Sequence, residues 1–181
     1  MNLTLDGAVI ADVDLSRFLP HVPAEYREFF PGEPGREHYK LLAHLSTLYT
    51  GVTLVDIGTD AGCSAMALSH NPANRVISYD LVNRRRTDIE LPNVEFRVGD
   101  ALADAAEWLA TPLISLDVDH DGTYEDVFYA HLTTAGYKGT LLLDDVYLND
   151  AMRRFWGSIT HQKADITPVG HWSGTGIVFF G

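Results

Sequence analysis

Short apolar runs separated by segments long enough for a helix recur through the middle of this chain, and that alternation constrains its fold more than any other feature. The runs fall at residues 53–57, 75–79, 94–98, 113–116 and 140–143. Each is rich in Val, Ile and Leu, as expected of a strand buried on both faces. Helical segments are expected at 62–69, ended by Asn71-Pro72, at 102–110, at 124–132 and from Asp150 to about His161. The third opens with Thr123 and Asp126 at capping-box spacing. Strands alternating with helices predict an α/β, doubly wound, Rossmann-like sheet covered on both sides. Residues 164–169 and 176–180 flank a Gly-rich turn and read as a closing hairpin.

Before the first run, Leu41, Leu42, Leu45, Leu48 and Tyr49 recur at helical spacing from Glu37 onward, and Gly51 stops them. The 36 residues ahead are broken by Pro20, Pro23, Pro31, Gly32, Pro34 and Gly35. They predict a covering segment, 1–36, with a short helix near 24–30, in front of a functional domain at 37–181. At 181 residues the whole is one globular unit.

Net charge of -12 sets up a field that repels phosphate backbones and anionic lipid, so no nucleic-acid or membrane partner is expected. No apolar stretch approaches the roughly 20 residues of a bilayer span. Residues 1–6 lack the basic and apolar regions of a signal peptide, and a cytoplasmic location is expected. The single Cys63 rules out an internal disulfide and reads as a small buried filler.

Ligands of an open parallel sheet sit beyond the carboxyl ends of its strands. After the first run comes Asp56-Ile57-Gly58-Thr59-Asp60-Ala61-Gly62-Cys63-Ser64. Its glycines allow close backbone approach, and the following helix offers free N–H groups to an anionic ligand end. A dinucleotide fingerprint needs glycine where Asp60 and Cys63 stand, and no P-loop Lys-Ser/Thr follows. The second run ends in Tyr79-Asp80-Leu81, with a carboxylate able to accept two ribose hydroxyls. The third ends in Gly99-Asp100-Ala101, where Asp100 can accept from an exocyclic amine, cap the helix after it, or both.

The Asp-x-Gly-x-x-x-Gly-x-Ser motif, followed in order by these two acidic strand ends, resembles class I S-adenosylmethionine-dependent methyltransferases. The resemblance covers about Glu37 to Gly181. It implies strand order 3-2-1-4-5-7-6 with the seventh antiparallel, and a cofactor site of Asp56, Gly58, Thr59, Asp60, Gly62, Ser64, Asp80, Leu81, Asp100, Ala101 and Asp117. The reaction it implies is in-line attack of a small-molecule acceptor on the sulfonium methyl.

Acids also end the fourth and fifth runs, as Leu116-Asp117-Val118-Asp119-His120 and Leu143-Asp144-Asp145. Clustered carboxylates call for a proton or cation between them, and an oxygen-rich cluster suits Mg²⁺. This pattern is similar to that of metal-dependent catechol O-methyltransferases, which implies a metal site at Asp117, Asp144 and Asp145, the last replacing the family's Asn. The stretch from Asp117 to Glu125 also resembles the Asp-x-Asp-His-x-Tyr-Glu signature of small bacterial methyltransferase domains related to cephalosporin-hydroxylase-like proteins. His120 then stands three residues after Asp117, the offset of the catechol family's basic Lys, as a general base with Asp117 beside it, or as a group that only orders the acidic loop.

Other features read more simply. Arg84-Arg85-Arg86 reads as a solvated helix start, and 171–176 as a hairpin turn whose Trp172 could wall an acceptor. Gly35 to Tyr39 leads into the helix that related enzymes place over the methionine end of the cofactor. The scattered histidines show no zinc spacing, and the two-histidine, one-carboxylate set of a redox iron is not apparent. A homodimer is the expected assembly. The rivals are a nucleoside-binding module without turnover and an NAD-dependent oxidoreductase.

Overall fold

The computed structural model describes residues 5–86 and 91–181; residues 1–4 of the leading segment lie outside them. Among the described residues the strands are β1 (Thr53–Ile57), β2 (Arg75–Asp80), β3 (Val94–Val98), β4 (Leu113–Leu116), β5 (Thr140–Leu143), β6 (Gln162–Asp165) and β7 (Gly176–Phe179). They form one sheet in the order β3-β2-β1-β4-β5-β7-β6. All run parallel except β7, which pairs antiparallel with both β5 and β6. This is the expected doubly wound, Rossmann-like architecture with its closing antiparallel strand.

The two-residue period of a strand splits each central run between two cores. Leu54, Val76, Leu113, Leu142 and Ile177 join the cluster beneath α2 (Tyr39–Thr47) and α3 (Cys63–Leu68). Val55, Ile57, Ile77, Ile114, Leu116 and Leu141 join the one beneath α4 (Ala105–Trp108), α5 (Thr123–Ala135) and α6 (Asp150–Ser158). β6 lies at the sheet edge, and its Gln162, Ala164 and Asp165 are exposed, a charged, polar rim that discourages pairing with another sheet.

The leading segment begins with α1 (Gly7–Ala11), whose N-cap Asp6 accepts from the Ala8 N–H. It sends Ile10, Leu15, Phe18, Val22 and Phe30 into the first core. The expected helix at 24–30 is a 3₁₀ turn at Ala24–Tyr26 followed by further turns, since Pro23 and Pro31 bound it closely.

Two local expectations are corrected. The capping box at Thr123 does not form: Gly122, at φ +80°, is the N-cap, and Asp121 Oδ1 accepts from the Thr123 N–H at 2.8 Å. The tight turn from His120 to Gly122 brings Asp121, not Thr123, to the helix start. The closing hairpin forms between β6 and β7, but its first strand ends at Asp165 and not at Val169, because a 3₁₀ turn at Thr167–Val169, with Pro168 inside it, separates β6 from the Gly-rich loop. The helix expected to start at Arg84 to Arg86 would run through residues 87–90, which lie outside the described residues. Arg85 lies over the Phe96 ring at 4.6 Å and Arg86 pairs with Glu25 of the leading segment.

Candidate functional site

The carboxyl ends of β1, β2, β3 and β4 open into a cleft of about 490 Å³. Gly58, Thr59, Asp60 and Ser64 line it from the β1–α3 turn, Asp80 and Leu81 from the end of β2, Gly99 and Ala101 from the end of β3, and Asp117 and His120 from the end of β4. The β1–α3 turn is shaped by Gly58, at φ +98°. A Cβ there would lie 1.5 Å from the Asp117 carbonyl oxygen, so the turn packs directly on the chain leaving β4. Only glycine fits both the angle and the space.

Asp56 stands one layer behind the cleft. It is fully buried, and Oδ2 accepts from Ser78 Oγ at 2.6 Å and Ser64 Oγ at 3.0 Å. Burial outweighs those two bonds and pushes its carboxyl up to about 7. Asp56 therefore ties α3 and β2 to β1 beneath the cleft. Asp80 faces forward: Oδ2 accepts from the Asp60 N–H at 2.9 Å and Oδ1 from the Val82 N–H at 3.1 Å. Asp60, at φ +39°, is also held by Tyr26 of the leading segment, whose hydroxyl donates to Oδ2 at 2.6 Å. Asp100 caps the 3₁₀ turn Ala101–Asp104 through the Leu102 N–H at 3.0 Å, and the same oxygen accepts from the Tyr124 hydroxyl at 2.7 Å. Its neighbours Gly99 and Ala101, and Tyr124 itself, line the cleft.

Beyond the ends of β4 and β5, three aspartates and three histidines alternate in a closed ring. His120 Nε2 lies 3.1 Å from Asp117 Oδ1 and 3.2 Å from Asp145 Oδ2. His171 Nδ1 lies 3.1 Å from Asp145 Oδ1 and 3.4 Å from Asp144 Oδ2. His38 Nδ1 lies 3.1 Å from Asp144 Oδ2, and its Nε2 is 4.0 Å from Asp117 Oδ2. Burial opposes charge on His38, but Asp144 outweighs it and holds the imidazole near 9; Asp144 and Asp145 likewise hold His171 near 10. His120 is also raised, chiefly by its bond to Asp117. Asp144 stays well below the usual carboxylate range because two imidazoles outweigh its burial, whereas burial and Asp144 raise Asp117.

Strained backbone supports the ring. His120 and Asp145, neither a glycine, sit at φ +55° and +58°. The buried Glu125 accepts the His120 N–H at 3.1 Å, and Asn149 Nδ2 donates to the His120 carbonyl at 2.8 Å. Tyr124 and Glu125, which end the signature beginning at Asp117, thus fix Asp100 and the His120 turn respectively.

No family model matches the chain, and no curated protein sequence matches it. Solved structures do share its architecture. The O-methyltransferase from Bacillus cereus, in complex with S-adenosylhomocysteine, matches at TM-score 0.60 and 17% identity, over 100% of this chain and 94% of its own. The O-methyltransferase TomG from Streptomyces achromogenes, in complex with S-adenosylmethionine, matches at 0.61 and 18%, over 94% and 92%. The S-adenosylhomocysteine-bound methyltransferase PaMTH1 from Podospora anserina matches at 0.59 and 15%, over 79% and 77%. The chain has the class I methyltransferase fold.

In this methyltransferase fold the expected cofactor residues divide into two layers. Gly58, Thr59, Asp60, Ser64, Asp80, Leu81, Ala101 and Asp117 line the cleft, while Asp56, Gly62 and Asp100 stand behind it as supports. Gly62, at φ +96°, begins α3. Tyr26 and Tyr124, which no sequence motif marked as site residues, also line the cleft. Gly35 to Tyr39 delivers His38 and Tyr39 to it.

The expected Mg²⁺ triad meets a different environment. Asp117, Asp144 and Asp145 are brought together, but each has an imidazole nitrogen 3.1 Å away, so the donors around them are nitrogen as well as oxygen. Mg²⁺ prefers an all-oxygen octahedron with several waters, so this set fits it poorly. The two-histidine, one-carboxylate set that spacing did not show is present in three dimensions, in His38, Asp144 and His171. The turn at 171–176 serves it: Ser173 Oγ bonds Asp145 and lies 2.7 Å from His171 Nδ1, and Trp172 stays exposed beside them.

Proposed function

We propose that this chain binds S-adenosylmethionine in the cleft and transfers its methyl group to a small acceptor bearing an ionisable oxygen. Asp80 carries the reading. Two backbone N–H groups fix its carboxylate at the cleft wall, and each oxygen keeps a second lone pair for a ribose hydroxyl. Gly99, Ala101 and Tyr124 offer a flat wall for a base, and the relatives with this fold that carry bound S-adenosylmethionine or its product support the choice of ligand.

The bound cofactor supplies an electrophilic methyl group. The protein's residues orient and deprotonate the acceptor. Asp117 and His120 meet at the end of the cleft that adjoins the acidic ring. Their pair holds one proton between two groups, and Asp117, made less acidic by burial and by Asp144, can take a second from the acceptor. Asp145 on the far side of His120 steadies the proton that His120 keeps while Asp117 accepts the acceptor's. Deprotonation by this pair suits a hydroxyl acceptor, whose neutral oxygen is a weak nucleophile.

Calorimetric titration with S-adenosylhomocysteine tests the proposal. Micromolar binding is expected, weakened at least tenfold in Asp80→Ala, the equivalent of about 1.4 kcal/mol. Absence of binding by protein shown to be folded would overturn it. Equal binding by Asp80→Ala would remove its main support.

A further inference from the structure

We infer that His38, Asp144 and His171 form a binding site for a first-row transition cation of the Zn²⁺, Co²⁺ or Fe²⁺ class, and that Mg²⁺ is not the ion held there. The inference stands apart from the methyl-transfer reading, because it does not require bound S-adenosylmethionine.

One ring nitrogen of each histidine and one Asp144 oxygen lie mutually within 4.8 Å. Asp144 Oδ2 is the hub, 3.1 Å from His38 Nδ1 and 3.4 Å from His171 Nδ1. Ligand bonds of about 2.1 Å place neighbouring donors about 3.0 Å apart in an octahedron and about 3.4 Å apart in a tetrahedron. Both separations fall on those values.

Hydrogen bonding alone does not account for the arrangement. His38 is 7% exposed, and its Nδ1 has no hydrogen-bond partner among the described residues, although an Asp144 oxygen lies only 3.1 Å away. The two atoms are close without being aligned as donor and acceptor, which is how two ligands of one ion stand. A buried imidazole nitrogen left so carries a penalty that a metal bond removes. His171 Nδ1 has competing partners, Ser173 Oγ at 2.7 Å and Asp145 Oδ1 at 3.1 Å, and exchanges them for the ion.

The outer parts also suit a metal. Asp144 is fixed by Thr175 Oγ1 at 3.5 Å as well as by the imidazoles. Two imidazoles and one carboxylate select a transition cation over Mg²⁺. His38 also lines the cleft, so the ion would sit at its wall.

Metal-stripped protein titrated separately with Zn²⁺, Co²⁺ and Mg²⁺ decides the matter, read by calorimetry, thermal shift and the visible absorption of Co²⁺. Zn²⁺ and Co²⁺ should bind at least about 100-fold more tightly than Mg²⁺, and Co²⁺ should show the d–d bands of a nitrogen-ligated ion. His171→Gln, at a half-buried position, should weaken Co²⁺ at least about tenfold and alter those bands while leaving the far-ultraviolet dichroism unchanged. His38→Gln should do the same if it folds; His171→Gln suffices if it does not. Mg²⁺ binding as tight as Co²⁺, Co²⁺ binding indifferent to His171→Gln, or no binding of any of the three by folded protein would each overturn the inference. None of these results depends on S-adenosylhomocysteine, so failure here is distinguishable from failure of the cofactor assignment.

Discussion

Gly58→Ala should destabilise the protein by about 2–5 kcal/mol, from two separable causes. The first is conformational: at φ +98° a side chain is strained, at a cost of about 1–2 kcal/mol. The second is steric. The new methyl carbon would stand 1.5 Å from the Asp117 carbonyl oxygen and 2.6 Å from its carbon. Ordinary contact is about 3.5 Å, so the β1–α3 turn and the β4 exit must part by about 2 Å, an overpacking cost of about 1–3 kcal/mol. Gly136→Ala isolates the first cause, because Gly136 lies at φ +68° with nothing within 4 Å of the added carbon. Urea unfolding of the two variants beside the parent would measure each cost. With a slope of about 2 kcal/mol/M, Gly58→Ala should unfold at a midpoint about 0.5–1.5 M below Gly136→Ala. The parting also displaces Asp117, so Gly58→Ala should lose affinity for S-adenosylhomocysteine while Gly136→Ala keeps it. Equal midpoints with unchanged ligand affinity would refute the view that this glycine is required by the packing of the turn on β4.

Three further outcomes are expected. Asp56, raised to about 7 in the folded protein against an ordinary 3.8, binds a proton more readily native than unfolded. Its contribution is therefore full below about pH 4 and lost as pH rises through 7, a change of about 4 kcal/mol. Asp56→Asn should remove that fall, and identical stability-against-pH curves for variant and parent would sink the reasoning. Glu125→Ala, by leaving the His120 N–H without its partner, should cost about 1–3 kcal/mol in denaturant unfolding, and Glu125→Gln should restore most of it. Tyr26→Phe removes the bond that holds Asp60 beside Asp80; a loss of about 0.5–1.5 kcal/mol in S-adenosylhomocysteine affinity is expected by calorimetry, with little change in melting temperature.

Where burial alone decides structure, the sequence was readable. β1, β3, β4 and β5 have the expected bounds, and β2 differs only by including Asp80; the central parallel strands are near-continuous apolar runs covered on both faces, whereas edge strand β3 alternates Glu95 and Arg97 with apolar residues. Helices were less legible because their ends depend on capping. The segment expected at 102–110 begins as a 3₁₀ turn under the Asp100 cap and yields only a short α4, and α6 stops at Ser158 where Ile159 turns extended. α1 carries no apolar period to announce it; its cap and the burial of Ile10 sustain it. The acids of the site were legible one by one from their places after strands, yet spacing did not say that Asp56 faces Ser64 and Ser78 while Asp80 faces the cleft. That follows from strand parity: Asp56 shares the face of Leu54 inside β1, whereas Asp80 ends β2.

The histidines that complete the acidic ring were hidden by distance along the chain, but the topology contains their placement. β7 runs antiparallel to β5, and the register sets Gly176 beside Leu143. The start of β7 therefore lies at the carboxyl end of β5, where Asp144 and Asp145 begin. Any turn leading into β7 must arrive over those two acids, and the turn here is His171 to Thr175. The same reasoning places the approach to α2, which packs closely on α3 on the sheet's first face and sends His38 and Tyr39 into the cleft. A strand order written with its directions thus predicts which loops meet, and the residue types in those loops predict the donor set. Asp144 was readable as an acid at a strand tip; His171 became readable as its neighbour once β7 was given its direction, and His38 once α2 was placed against α3.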